Sequence, residues 1–103
     1  LASVLLGLAL LLNAGPLLAQ STGRLSGKVL DKNTQETLPD AVLVLDQTEF
    51  STFSDSSGYF LLENIPPGNY TLVASFTGYE EVYLYNINIT SGNILNFTIE
   101  MEL

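Results

Sequence analysis

The chain has no cysteine, no histidine and no tryptophan, and only three of its 103 residues carry a positive charge. Without cysteine no disulfide can brace the fold and no thiolate can act as a nucleophile. Without histidine there is no Ser-His-Asp or Cys-His arrangement, and zinc would have carboxylates alone to hold it. The sequence therefore reads as a non-enzyme, with no catalytic, cofactor-binding or metal site. Arg24, Lys28 and Lys32 are the cations, and beyond Asn33 every charged residue is acidic. A formal net charge of −8 repels phosphate backbones and anionic headgroups, which excludes nucleic acid as a partner.

Long hydrophobic runs are also scarce; the one that stands out opens the chain. Val4 to Leu12 are uninterruptedly apolar, Asn13, Gly15 and Pro16 break the run, and Leu17-Leu18-Ala19-Gln20 follow. A membrane span needs about 20 apolar residues, so the run is too short. Its anatomy is that of a secretory signal peptide with its N-terminal part missing, cleaved between Ala19 and Gln20. The expected organisation is a signal peptide over residues 1–19 and one exported domain over 20–103. With no cysteine after the cut, lipid attachment there is excluded.

What is present is turn chemistry between short alternating segments. Ser54 to Tyr79 reads SDSSGYFLLENIPPGNYTLVASFTGY. Asp55-Ser56-Ser57-Gly58 suits a tight hairpin, because Asp and Ser bond back to nearby amides and Gly accepts positive φ. Pro66-Pro67-Gly68-Asn69 forms a second break. The pattern predicts seven strands at sandwich spacing, Arg24–Asp31, Ala41–Asp46, Phe50–Ser54, Tyr59–Glu63, Tyr70–Thr77, Glu81–Thr90 and Ile94–Glu102. In the last, Leu95, Phe97, Ile99 and Met101 share a face, and Tyr70, Leu72, Ala74 and Phe76 supply a matching one. The sixth is irregular: Ile87 and Ile89 have one parity, Val82 and Leu84 the other. A bulge re-aiming side chains in mid-strand accounts for this. So does an apolar patch docking a partner, for which Tyr83 and Tyr85 are the candidate contacts, with at least one ring largely exposed.

Gly27-Lys28-Val29-Leu30-Asp31, Leu38-Pro39-Asp40-Ala41, Ser54 to Leu62, Pro66 to Leu72 and Gly78-Tyr79 together resemble the carboxypeptidase-regulatory-like domain. Gln35, Asp40 and Ser51 stand where that family usually has glycine. The resemblance covers about residues 24 to 101 and implies an all-β fold, a seven-stranded antiparallel Greek-key β-sandwich of transthyretin-like (prealbumin-like) type. Such domains occur at the N-terminus of TonB-dependent outer-membrane receptors of Bacteroidetes-type bacteria. That implies an exported, periplasmic, non-catalytic spacer or docking module. Its partners would be its own plug and barrel or a periplasmic protein, and it would meet the membrane only through the missing barrel. The alternatives are a secreted cell-surface binding or adhesion sandwich, in which Phe50, Phe53 or Tyr59 could stack on sugars, or an accessory domain of a secreted peptidase.

Other features carry less. Glu80–Glu81 and Glu100–Glu102 have no evident cleft and read as solvated surface. Asp55 to Gly58 lacks the alternating carboxylates of a calcium loop. The sequons at Asn69, Asn88 and Asn96 would matter only in a eukaryotic secretory chain.

Overall fold

Period-two alternation translates directly into strands. The structure, a computed structural model, describes residues 21–103, so the expected signal peptide at residues 1–19 lies outside the described residues. The strands are β1 (Gly23–Asp31), β2 (Val42–Leu45), β3 (Ser51–Phe53), β4 (Tyr59–Ile65), β5 (Gly68–Ser75), β6 (Val82–Ile89) and β7 (Ile94–Met101). They make a sandwich of a three-stranded sheet, order β4-β1-β7, and a four-stranded sheet, order β3-β2-β5-β6. Between the sheets Leu25, Val29, Phe60, Leu62, Ile99 and Met101 meet Leu43, Leu45, Leu72, Ala74, Ile87 and Ile89. All seven expected strands are present, with small shifts at their ends.

One pairing departs from the antiparallel expectation: β1 and β7 run parallel, with Leu25 opposite Leu95 and Val29 opposite Ile99. The cause is where the chain leaves β6. The β6–β7 turn lies beside the start of β1, where Gly92 N–H donates to Thr22 O and Arg24 N–H to Asn93 O, both at 3.0 Å. A strand that begins next to the beginning of β1 has to run along with it. Antiparallel pairing by a tight hairpin was open only to sequence neighbours.

The irregularity of the sixth strand is a bulge. On β5 Tyr70 and Leu72 are two apart, but they face Ile87 and Leu84, which are three apart on β6. Asn86 takes up the extra residue at a φ of 59°. Val82, Leu84, Ile87 and Ile89 therefore all turn toward the core despite their opposite parities. A matching offset on β4 is absorbed by Asn64, at a φ of 60°.

Turn chemistry is realised as the residues suggest. Asp55 Oδ1 accepts from the amides of Ser57 and Tyr59, each at 2.9 Å, while Gly58 has a φ of 82°. Ser54 is buried; its hydroxyl donates to Leu38 O at 2.6 Å and accepts from Ala41 N–H at 2.8 Å. Gln35 and Asp40, two positions where glycine was expected, both lie in the left-handed region, at φ 63° and 64°. Left-handed backbone costs a side chain roughly 1–2 kcal/mol, and Asp somewhat less. Asp40→Gly is expected to stabilise by about 0.5 kcal/mol after the extra entropy of glycine is counted, measured as an upward shift in urea midpoint. Gln35→Gly should be close to neutral, because the Gln35 amide donates to Lys32 O and Glu100 Oε2, both at 2.9 Å.

Candidate functional site

The two outer faces of the sandwich differ in charge. On the three-stranded sheet, Arg24, Ser26 and Lys28 of β1 point outward, beside Asn96 and Thr98 of β7. Lys28 lies 5.6 Å from the centre of the Tyr59 ring, and Lys32 is bonded to Glu102 at 2.8 Å. That side holds all the cations of the chain, interleaved with exposed Tyr59, Leu61 and Ile94.

The four-stranded sheet is apolar outside as well as inside. Leu43, Leu45, Leu72 and Ala74 are buried against the core, so Val42, Val44 and Val73 face outward by alternation. The register places them in rows: Phe53 opposite Val42 opposite Ser75, and Ser51 opposite Val44 opposite Val73 opposite Tyr83. Tyr83 and Tyr85 close the far edge with rings stacked at 14° and 6.1 Å between centres. Phe53 is 65% exposed, Tyr83 47% and Tyr85 68%. The bulge and the exposed tyrosines thus occur together, because turning Val82 and Leu84 inward turns Tyr83 and Tyr85 out.

Carboxylates border this face. The Tyr83 hydroxyl donates to Glu81 Oε2 at 3.3 Å. The negative charge of Glu81 raises the phenol's pKa above its usual value, helped by that hydrogen bond and, more weakly, by Asp46. At one end of the face a shallow open depression is lined by Asp40, Val42, Ser75, Phe76, Tyr79 and Glu81, among others. The Phe76 and Tyr79 rings meet there in a tilted pair, 5.5 Å between centres and 59° between planes.

The remaining candidates do not converge. Phe50 packs against the core. Tyr59 is on the opposite sheet from Phe53, so the three aromatics raised for sugar stacking form no common platform. Glu100 and Glu102 are each held by their own partner, Gln35 and Lys32. Among the described residues no group of three or more carboxylates could hold a metal ion. No helix among them is long and apolar enough to cross a membrane. Sequence reasoning did not single out Val42, Val44 and Val73. The signal was there in Val42-Leu43-Val44-Leu45, apolar in both parities, which in a two-layer fold leaves one apolar side outside.

A family model described as the CarboxypepD_reg-like domain matches residues 25–103. No curated protein matches the chain. Among solved structures, a type II cohesin–X-dockerin complex from Acetivibrio cellulolyticus aligns with a TM-score of 0.66 at 20% identity, over 77% of this chain and 56% of that one. The Bacillus anthracis TIE protein aligns at 0.64 and 23% identity, over 80% and 16% of the two chains. BcpA, the major pilin subunit of Bacillus cereus, aligns at 0.60 and 18% identity, over 80% and 30%. The chain spans little more than half of the first of these structures and far less of the other two. At such identities the likeness is one of fold.

Proposed function

The chain belongs to the CarboxypepD_reg-like domain family, and from that premise we propose that it is the non-catalytic N-terminal domain of a TonB-dependent outer-membrane nutrient receptor. It serves on the periplasmic side as a spacer or docking module ahead of a plug and barrel. The family match across residues 25–103 carries the reading. The chemistry agrees with it: with no histidine or cysteine, the protein offers surfaces in place of a reaction centre. Determining the reading frame beyond Leu103 tests the proposal. An energy-coupling segment, a plug and a series of amphipathic strands of about ten residues are expected. A stop codon shortly after Leu103 would overturn the receptor reading.

A second reading, an exported binding or adhesion module, is favoured by one observation, the exposure of Phe53, Tyr83 and Tyr85 on a single sheet face. Repeated sandwiches in the same reading frame would select it over the receptor.

A further inference from the structure

We propose that the outer face of the β3-β2-β5-β6 sheet is a docking surface for a polypeptide partner. That partner presents a flat apolar patch bordered by lysine or arginine, and one of its cationic side chains enters the depression between Asp40 and Glu81. The inference holds whichever protein the domain is part of, and stands apart from the receptor reading.

Two observations fix the chemistry of the occupant. The centre of the face is aliphatic and the edges aromatic: Val42, Val44 and Val73 lie between Phe53 and the stacked Tyr83–Tyr85 pair. An extended polypeptide surface covers such a stripe with matching apolar side chains. A sugar would find hydrogen-bonding partners only at Ser51, Ser75 and the bordering carboxylates, leaving the hydroxyls over the three valines unpaired at the cost of desolvation. The second observation is charge. Asp40, Asp46 and Glu81 surround the stripe, and no cation occurs anywhere in the chain after Lys32. A second copy placed face to face would set these carboxylates against their own kind, with a net charge of −8 on each molecule. A basic border on the partner pairs with them and speeds encounter. In the depression, the rings of Phe76 and Tyr79 can pack against the apolar stem of an arginine or lysine whose head meets Asp40 and Glu81.

The experiment is a titration of the uniformly nitrogen-15-labelled chain, followed by amide shifts. The probe is an amphipathic helical peptide of leucine and lysine, about 18 residues long, with one apolar face. Its glutamate counterpart and cellohexaose are titrated in parallel. Saturable shifts are expected at Val44, Val73, Tyr83 and their strand neighbours, with the lysine peptide alone. The apparent affinity should fall about tenfold between low salt and 0.3 M salt, as screening shortens the reach of the carboxylates. A double variant, Tyr83→Ser with Tyr85→Ser, should weaken binding about tenfold while leaving the rest of the spectrum in place, since both rings are exposed. Glu81→Gln should reduce the salt dependence. Leu61→Ser, on the outer face of the other sheet, should change nothing. Equal binding of the glutamate peptide, shifts spread over the β4-β1-β7 sheet, insensitivity to the tyrosine variant, or binding of cellohexaose at the same amides would each overturn the proposal. So would the absence of any saturable shift.

Discussion

Gly27→Ala is expected to lower the melting temperature by roughly 15 °C. Gly27 is paired on both sides, with Phe60 of β4 and with Phe97 of β7. A Cβ there would run into the backbone oxygen of Phe97 and lie 2.7 Å from the Phe60 ring. Neither neighbour can retreat cheaply. Phe97 O belongs to the ladder that aligns β7 with β1, and the Phe60 ring is packed into the core. Overpacking a dense interior costs typically 1–3 kcal/mol and sometimes more. A domain of this size has on the order of 4–12 kcal/mol of stability to lose from. Gly78→Ala is the control, since a Cβ there meets nothing within 4 Å. With a φ of 87°, it should cost about 1 kcal/mol through backbone conformation alone. Thermal unfolding by circular dichroism separates the two. Equal melting temperatures for the two variants would mean that the Phe60 ring swings aside and that the contact is soft.

Gly27 also shows what kind of information the sequence carries openly. Strands, turns and the bulge are local: alternation in Leu95 to Met101, Asp55 beside Gly58, and a change of parity between Leu84 and Ile87 can all be read within a few residues. The left-handed backbone at Gln35 and Asp40 was legible only because the family resemblance puts glycine there; the side chains themselves give no sign of it. The parallel run of β1 and β7 was hidden because it depends on where the β6–β7 turn lands, a contact between segments about 70 residues apart that no local pattern encodes. The candidate face was half legible. Tyr83 and Tyr85 stand out because aromatic rings alternate with core residues on an edge strand. The valines of β2 do not, since an all-apolar strand reads the same whichever side is buried. Only the register across β3, β2, β5 and β6 shows that these residues form one surface.

The other large effect concerns a polar contact across the sandwich. Asp31 ends β1, and Tyr79 lies in the connection between β5 and β6, so their bond ties one sheet to the other. The Tyr79 hydroxyl donates to Asp31 Oδ2 at 2.6 Å, while Oδ1 accepts from the amides of Asn33 and Thr34 at 2.8 and 2.9 Å. Asp31→Ala removes all three acceptor contacts and is expected to lower the melting temperature by on the order of 10 °C at pH 7. Tyr79→Phe keeps the ring against Phe76 and should take a smaller share. The sign of the pH dependence follows from the same contacts. The Tyr79 hydroxyl, then the Thr34 and Asn33 amides, hold the Asp31 carboxyl below its usual pKa. Its contribution is therefore complete above the unfolded value of about 3.9 and disappears as pH falls through the lower folded one. The Tyr79 phenol is shifted up, first by its bond to Asp31, so its share is present below about pH 10 and is lost as pH rises through the raised folded value. The gap in melting temperature between the native chain and Asp31→Asn should thus be wide at pH 7, begin to narrow below about pH 4 and vanish only below the lowered folded pKa. A gap that stayed constant down to pH 2 would show that the carboxylate charge plays no part and that shape alone holds the turn. Because Tyr79 also lines the depression on the candidate docking face, Tyr79→Phe bears on that surface too. If the hydroxyl serves only Asp31, this variant should lose stability yet bind the lysine peptide as the native chain does.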